Sequence, residues 1–115
     1  MITETRRAPR LQVPALVPVT DQMTGTGIGR LGNISETGML LIASEPLVED
    51  ALYQLRFPIT DSHGGELSID VGAHLLWHEA TRAPGHAWAG FRFIALEKSQ
   101  REQLRQWIEA QLPAT

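Results

Sequence analysis

The pattern of apolar and polar residues predicts a series of short β-strands. Apolar residues occupy alternate positions over 11–19 and 67–77, and shorter apolar segments lie between and after them. A period of two places every second side chain on the same face of a strand. The predicted strands are centred on residues 11–19, 34, 39–42, 52–57, 67–77 and 86–94.

Prolines and glycines divide these strands. Pro14 and Pro18 lie in the first predicted strand, at the parity opposite to its apolar residues. Proline has no N–H for a β-ladder, so we expect this strand to have one open edge. The glycine-rich polar residues 21–32 predict a loop, and residues 35–38, 61–65 and 82–85 predict turns.

The end of the chain has helical spacing. Ser99 and Glu102 have the spacing of a capping box, in which the serine caps the helix and the glutamate bonds back. Pro113 would end the helix. The apolar positions of this predicted helix are Leu104, Trp107 and Ile108. A helix this short is marginal alone, so its apolar side must pack against the sheet.

Together these elements predict a mainly β fold. The chain has 115 residues, the size of one domain. Strands and helices do not alternate, which excludes a doubly wound α/β fold. About six short strands followed by one helix favour a small six-stranded antiparallel β-barrel with one C-terminal α-helix.

Composition excludes several classes of protein. Without cysteine, the chain has no disulfides and no thiolate metal site. Its four histidines lack metal-binding spacing, so we expect no metal. No apolar segment is long enough to span a bilayer, and the first residues lack the apolar region of a secretion signal. We therefore expect a cytoplasmic protein without a membrane span.

Charge is unevenly distributed along the chain. Residues 1–30 hold four of the ten basic residues and only two acids, whereas the rest of the chain is acidic. The net charge of −3 argues against general nucleic-acid binding. Arg6, Arg7 and Arg10 form a cluster whose planar guanidinium groups suit phosphate oxygens, a guanine edge or stacking on a base.

The turn at residues 33–38 has a second set of polar groups. In an extended segment, Asn33 and Ser35 share one face while Ile34 points into the core. An amide and a hydroxyl can both donate and accept, so together they can bind a purine edge. Gly38 allows a positive φ or a close approach of another backbone. An ordinary polar hairpin turn has the same composition, so the turn alone assigns no ligand.

The arginines and the turn together resemble the signature of the PilZ domain family. Arg6 and Arg10 match its R-x-x-x-R motif, and 33–38 matches the following [D/N]-x-S-x-x-G motif. Ala89–Phe93 also resembles the G-x-x-F strand common in the family. The resemblance covers essentially the whole chain.

This resemblance implies a split-barrel fold that binds the bacterial second messenger cyclic di-GMP, without a cofactor or enzymatic activity. It implies that Arg6 and Arg10 hold phosphates and guanine Hoogsteen edges, while Asn33 and Ser35 bond a guanine or phosphate. Gly38 would shape the turn, and Arg7 would add a stacking or phosphate contact. Asn33 stands where many members have aspartate.

We expect three parts: a flexible arginine-rich arm over residues 1–11, a barrel over 12–98 and an amphipathic helix over 99–112. We expect no attached catalytic or output domain. The chain would be a stand-alone receptor and adaptor whose arm becomes ordered on ligand binding and relays the signal to a downstream protein. One bound messenger or two, and the oligomeric state, stay open.

Two other functions stay open at this point. A PilZ-like protein could act through protein contacts in type IV pilus assembly or motility without nucleotide, although members of that kind usually lack the arginine and Asn/Ser motifs. A small split barrel could also bind flavin as an enzyme. A single-strand nucleic-acid binder needs a basic groove with exposed aromatics, and most of the seven aromatic residues fall on predicted core faces.

Overall fold

The computed structural model describes residues 10–13 and 16–112. Within these ranges the chain forms seven strands and one helix. The elements are β1 (Leu11–Gln12), β2 (Pro18–Asp21), β3 (Thr26–Ser35), β4 (Gly38–Ala43), β5 (Leu52–Thr60), β6 (Glu66–Ala80), β7 (Ala87–Leu96) and α1 (Lys98–Gln111). None of the helices in the described part of the chain has the length and apolar character needed to cross a membrane.

Six of the strands form a closed barrel. Their order around the ring is β3, β2, β5, β6, β7 and β4, and β4 pairs back with β3. Each neighbouring pair is antiparallel. The seventh strand, β1, pairs with β3. The predicted fold class, a small six-stranded antiparallel barrel with one C-terminal helix, is confirmed.

The first predicted strand is two strands. β1 and β2 follow one another along the same edge of β3, where Leu11 pairs with Ile34 and Pro18 with Arg30. The prediction of one continuous strand over 11–19 is therefore wrong. Among the described residues, β2 first pairs with β5 at Thr20. The edge beside Pro18 is thus open, as predicted from its missing N–H.

The predicted loop over residues 21–32 is wrong in its second half, because β3 begins at Thr26. Gly29 shows the physical reason. A Cβ built on Gly29 would lie 2.2 Å from the carbonyl oxygen of Ile42 on β4. Glycine is needed there because two strands approach closely, and composition alone does not separate this role from a flexible loop.

The core lies inside the barrel and under the helix. Alternate residues of the strands are fully buried, and α1 packs against β3, β5 and β6. The helix residues in this core are Leu104, Trp107 and Ile108, as predicted. Complete burial of a leucine side chain such as Leu104 contributes about 1.5–3 kcal/mol to folding.

The helix begins one residue before the predicted start and has a different cap. Its N-cap is Glu97, whose carboxylate accepts a hydrogen bond of 3.2 Å from the Gln100 amide. Ser99 donates to the same carboxylate, and Glu102 pairs with Arg105. The predicted capping box at Ser99 and Glu102 is wrong, because the chain turns into the helix directly after β7.

We expect Glu97→Ala to lower the melting temperature more than Ser99→Ala, because Glu97 caps the helix and Ser99 only supports it. The hydrogen bond from Ser99, then that from the Gln100 amide, lowers the pKa of Glu97. A carboxyl group with a lowered folded pKa stabilises the fold above its unfolded pKa, and this contribution is lost as the pH falls.

Thermal denaturation at neutral pH and at about pH 3, below the usual glutamate pKa, measures this effect. The difference between the wild type and Glu97→Ala should shrink in acid. A difference of the same size at both pH values would contradict the assignment of Glu97 as a charged cap.

Candidate functional site

The predicted turn at residues 35–38 joins β3 to β4. Ser35 pairs with Gly38 across the turn. Ile34 is fully buried and Asn33 is half-buried, as the alternation predicted. The Ser35 side chain was expected to face outward with Asn33, but Ser35 is only 1% exposed. Its hydroxyl is covered by Arg10 and by the turn itself.

Ser35 Oγ lies at the centre of a small hydrogen-bond network. Arg10 Nη1 donates to it at 3.1 Å, and the Thr37 amide donates at 3.2 Å. Thr37 Oγ1 lies 3.0 Å away and the Gly38 carbonyl oxygen 3.5 Å away. A hydroxyl accepts two hydrogen bonds and donates one. These contacts fill that capacity, so Ser35 holds Arg10 at the turn.

Arg10 is the described arginine of the predicted arm. It lies just before β1 and is exposed as a residue, but nearby atoms partly desolvate its guanidinium, and this burial lowers its pKa. A guanidinium stays charged in proteins and has five N–H donors. The contact with Ser35 uses one of them. Arg6 and Arg7, the other predicted arginines, lie outside the described residues.

Gly38 is required by a close approach, one of the two roles predicted for it. A Cβ at Gly38 would lie 2.4 Å from the carbonyl oxygen of Phe91 on β7. Two more contacts hold the tip of the turn. Phe93 N donates to Thr37 O at 2.9 Å, and Arg101 Nη1 of α1 donates to Glu36 O at 3.3 Å. The turn is therefore fixed by β7 and by the helix.

A pocket of about 230 Å³ opens beside this turn. It lies on the outer side of the barrel where β3, β4, β7 and β6 are neighbours. Its lining residues are Arg10, Asn33, Met39, Leu40, Leu76, Trp77, Gly90 and Phe91. The structure thus brings predicted site residues from the arm and from β3 to one pocket.

Trp77 is the lining residue that sequence reasoning missed. It was expected to continue the buried face of β6, yet it is 43% exposed. The pairing between β6 and β7 shifts between Leu75 and Trp77, and this irregularity reverses the alternation. The indole lies over Gly90, where a Cβ would be 2.3 Å from Trp77 Nε1. The sequence signal is a glycine on the strand opposite a tryptophan.

Asn33 carries an unpaired polar atom in this pocket. Its Oδ1 is buried and has no hydrogen-bond partner among the residues that the structure describes. A buried acceptor without a partner costs roughly 1–3 kcal/mol. An oxygen of this kind needs a donor, so the pocket is complementary to a ligand that offers an N–H or O–H group beside Asn33.

Comparison with known proteins places this chain in a family. The family profile described as "PilZ domain" matches residues 4–110. The chain therefore belongs to the PilZ domain family, as its arginines and its Asn33–Gly38 turn had suggested. A search of curated protein sequences finds no match.

Solved structures share the fold. The inhibitor of motility MotI/DgrA of Bacillus subtilis superposes with a TM-score of 0.76 at 14% identity, over 95% of this chain and 51% of that one. YcgR of Escherichia coli in complex with c-di-GMP superposes with a TM-score of 0.68 at 21% identity, over 91% of this chain and 45% of that one. The PilZ domain of Escherichia coli YcgR with c-di-GMP superposes with a TM-score of 0.66 at 18% identity, over 94% of this chain and 92% of that one. This chain spans about half the length of MotI/DgrA and of YcgR.

We expect Gly38→Ala to destabilise the protein by about 1–3 kcal/mol, because the new methyl group would overlap a backbone carbonyl that cannot move independently. Gly27→Ala is the matched control, since a Cβ at Gly27 meets nothing within 4 Å. Chemical denaturation of both variants measures the difference. Equal stabilities would show that the turn and β7 can separate at little cost.

Proposed function

We propose that this chain is a receptor for cyclic di-GMP and binds it in the pocket between Arg10, Asn33 and Trp77. The observation that carries the proposal is the buried, unpartnered Asn33 Oδ1 beside a guanidinium, at positions that match the family signature. Two of the structural relatives are complexes with c-di-GMP, which supports the same ligand here.

The chemistry of the two side chains divides their roles. Asn33 Oδ1 can only accept a hydrogen bond. Phosphate oxygens and the N7 and O6 atoms of guanine are also acceptors, so Oδ1 cannot bond any of them. Asn33 therefore bonds the donor edge of guanine, formed by its N1–H and N2–H₂ groups. Arg10 has only donors, so it takes the phosphate oxygens or N7 and O6. The two residues bind complementary parts of one ligand.

Trp77 provides a surface on which a base can stack. Its indole is partly exposed and lies in the same pocket as Asn33. Stacking of a base on an aromatic side chain contributes roughly 1–3 kcal/mol. A guanine on Trp77 presents its edge to Asn33, so stacking and hydrogen bonding act on the same base.

Ser35 is a positioning residue in this proposal. Its Oγ already bonds Arg10 and the Thr37 amide, so it directs the guanidinium towards the pocket instead of meeting the ligand itself. Arg6 and Arg7 remain predicted as further phosphate or stacking contacts.

In this proposal, the arginine-rich arm over residues 1–11 passes the binding signal on to a downstream protein. Ordering each arm residue costs about 1–2 kcal/mol of backbone entropy. Each charge-assisted hydrogen bond contributes roughly 1.5–3 kcal/mol to binding, so several of them offset the entropy cost of ordering a short arm. The ordered arm and ligand then form a new surface that a downstream protein can bind. The chain acts here as a receptor and adaptor without catalytic activity.

We expect Arg10→Ala to weaken binding of cyclic di-GMP by at least about tenfold, the loss of one charge-assisted hydrogen bond. Arg82→Ala is the control, because it removes the same charge from an exposed site in the loop between β6 and β7. Isothermal titration calorimetry measures both, and thermal denaturation should show unchanged stability. Wild-type protein that binds no cyclic di-GMP would leave a PilZ domain acting through protein contacts alone.

We expect Asn33→Leu to move affinity and stability in opposite directions. The leucine removes the unpartnered acceptor, so the free protein should become more stable, by up to about 1–3 kcal/mol. The same change removes the acceptor for guanine, so affinity should fall. Asn33→Asp keeps an acceptor and should still bind. Loss of stability together with unchanged affinity in Asn33→Leu would disprove this role.

A further inference from the structure

Thr37 lies at the tip of the turn that holds Arg10. It is exposed, whereas Ser35 beside it is only 1% exposed. The two hydroxyl oxygens, Ser35 Oγ and Thr37 Oγ1, lie 3.0 Å apart, and on distance alone either of them could be the donor. The direction of this hydrogen bond decides whether Thr37 keeps an O–H group for a ligand.

The other contacts of Ser35 fix that direction. Arg10 Nη1 and the Thr37 amide donate to Ser35 Oγ at 3.1 and 3.2 Å. A hydroxyl oxygen has two lone pairs, so these two donors fill them. Ser35 must therefore donate its own hydrogen. Thr37 Oγ1 at 3.0 Å is a closer acceptor than the Gly38 carbonyl oxygen at 3.5 Å, so Thr37 accepts and keeps its own O–H.

The other polar groups of Thr37 are occupied. Its amide donates to Ser35 Oγ at 3.2 Å, and its carbonyl oxygen accepts from Phe93 N at 2.9 Å. Within the part of the chain that the structure describes, Oγ1 bonds Ser35 alone. A β-branched side chain is stiff at χ1, and the contacts with Ser35 and β7 hold this one in place. Thr37 therefore presents one fixed O–H donor at the tip of the turn.

This donor lies next to the guanidinium of Arg10. Thr37 Oγ1 and Arg10 Nη1 are 3.0 and 3.1 Å from the same atom, Ser35 Oγ. Arg10 lines the pocket that contains Asn33 and Trp77, whereas Thr37 is not part of that lining and so lies at its margin. A ligand whose base fills the pocket leaves its phosphate at this margin. Phosphate oxygens accept from arginine and threonine side chains alike.

We propose that the Thr37 hydroxyl is a further ligand-binding group and donates to the phosphate that Arg10 binds. This inference rests on the proposed function. The [D/N]-x-S-x-x-G motif specifies positions 33, 35 and 38 and leaves position 37 open, so the family resemblance assigns no role to Thr37. Because the donor is held in place before the ligand arrives, the bond forms without the entropy cost of ordering a free side chain.

Thr37→Val and Thr37→Ser test the hydroxyl as a matched pair. Valine keeps the shape of threonine without the hydroxyl, and serine keeps the hydroxyl. Calorimetry with cyclic di-GMP should show about tenfold weaker binding for the valine variant, the loss of one hydrogen bond to a charged group. The serine variant should bind nearly as the wild type does. A valine variant that binds like the wild type overturns this inference and keeps the receptor function, whereas no binding by the wild type overturns both.

The same substitution in a Ser35→Ala background separates a direct contact from an effect through Ser35. Without the Ser35 hydroxyl, a residue that only positions Ser35 has nothing left to position. A direct contact should still lose about tenfold in affinity when Thr37→Val is added, because the two changes then act independently. Equal affinities of Ser35→Ala and the double variant would overturn the direct contact.

Phosphorus-31 NMR at saturating ligand gives a second measurement, which applies even if Ser35→Ala binds too weakly for calorimetry. The phosphorus resonance of bound cyclic di-GMP should differ between the wild type and Thr37→Val, because one phosphate oxygen loses a hydrogen bond. Thr37→Ser should restore the wild-type resonance. Identical resonances in the wild type and the valine variant would show that the hydroxyl does not reach the phosphate.

Discussion

The site depends on the close approach of β4 and β7 at Gly38. Because Gly38 has no side chain, the Phe91 carbonyl can lie against the start of β4. That approach joins β4 to β7 and so helps to close the barrel. It also fixes the turn that carries Ser35, and Ser35 in turn holds Arg10. Barrel closure and the placement of the Arg10 guanidinium thus depend on the same few atoms.

The candidate site occurs where the sheet is irregular. The pairing of β3 with β4 shifts between Leu31 and Asn33, and that of β6 with β7 shifts between Leu75 and Trp77. Each shift breaks the strict alternation of side chains between core and surface. The result is that Asn33 and Trp77, from opposite ends of the four-strand face, line one pocket. Regular strands would have directed Trp77 into the core.

These same irregularities limit how much of the site the sequence could predict. Local patterns predicted the buried Ile34, the turn at 35–38, the helix with Leu104 and Trp107, and the number of barrel strands. The outward orientation of Trp77 depends on a bulge opposite Gly90, which is a contact between strands and not a local pattern. β3 starts within a glycine-rich segment, where Gly29 allows the close approach of the Ile42 carbonyl on β4. That approach is also a contact between strands. The cap at Glu97 was missed for another reason, because Ser99, two residues later, also matches a capping pattern.

Asparagine at position 33 has a physical consequence for the ligand-free protein. A buried carboxylate without a partner would be far more costly than a buried amide, so an aspartate here would need Arg10 as its ion-pair partner. With the neutral amide, Arg10 instead bonds the Ser35 hydroxyl, a weaker partner than a carboxylate. In the proposed complex, a phosphate would then have less to compete with for the guanidinium. For the proposed ligand, asparagine would lose the stronger bond that a charged acceptor gives to guanine N–H groups, but it would leave the cation easier to bind.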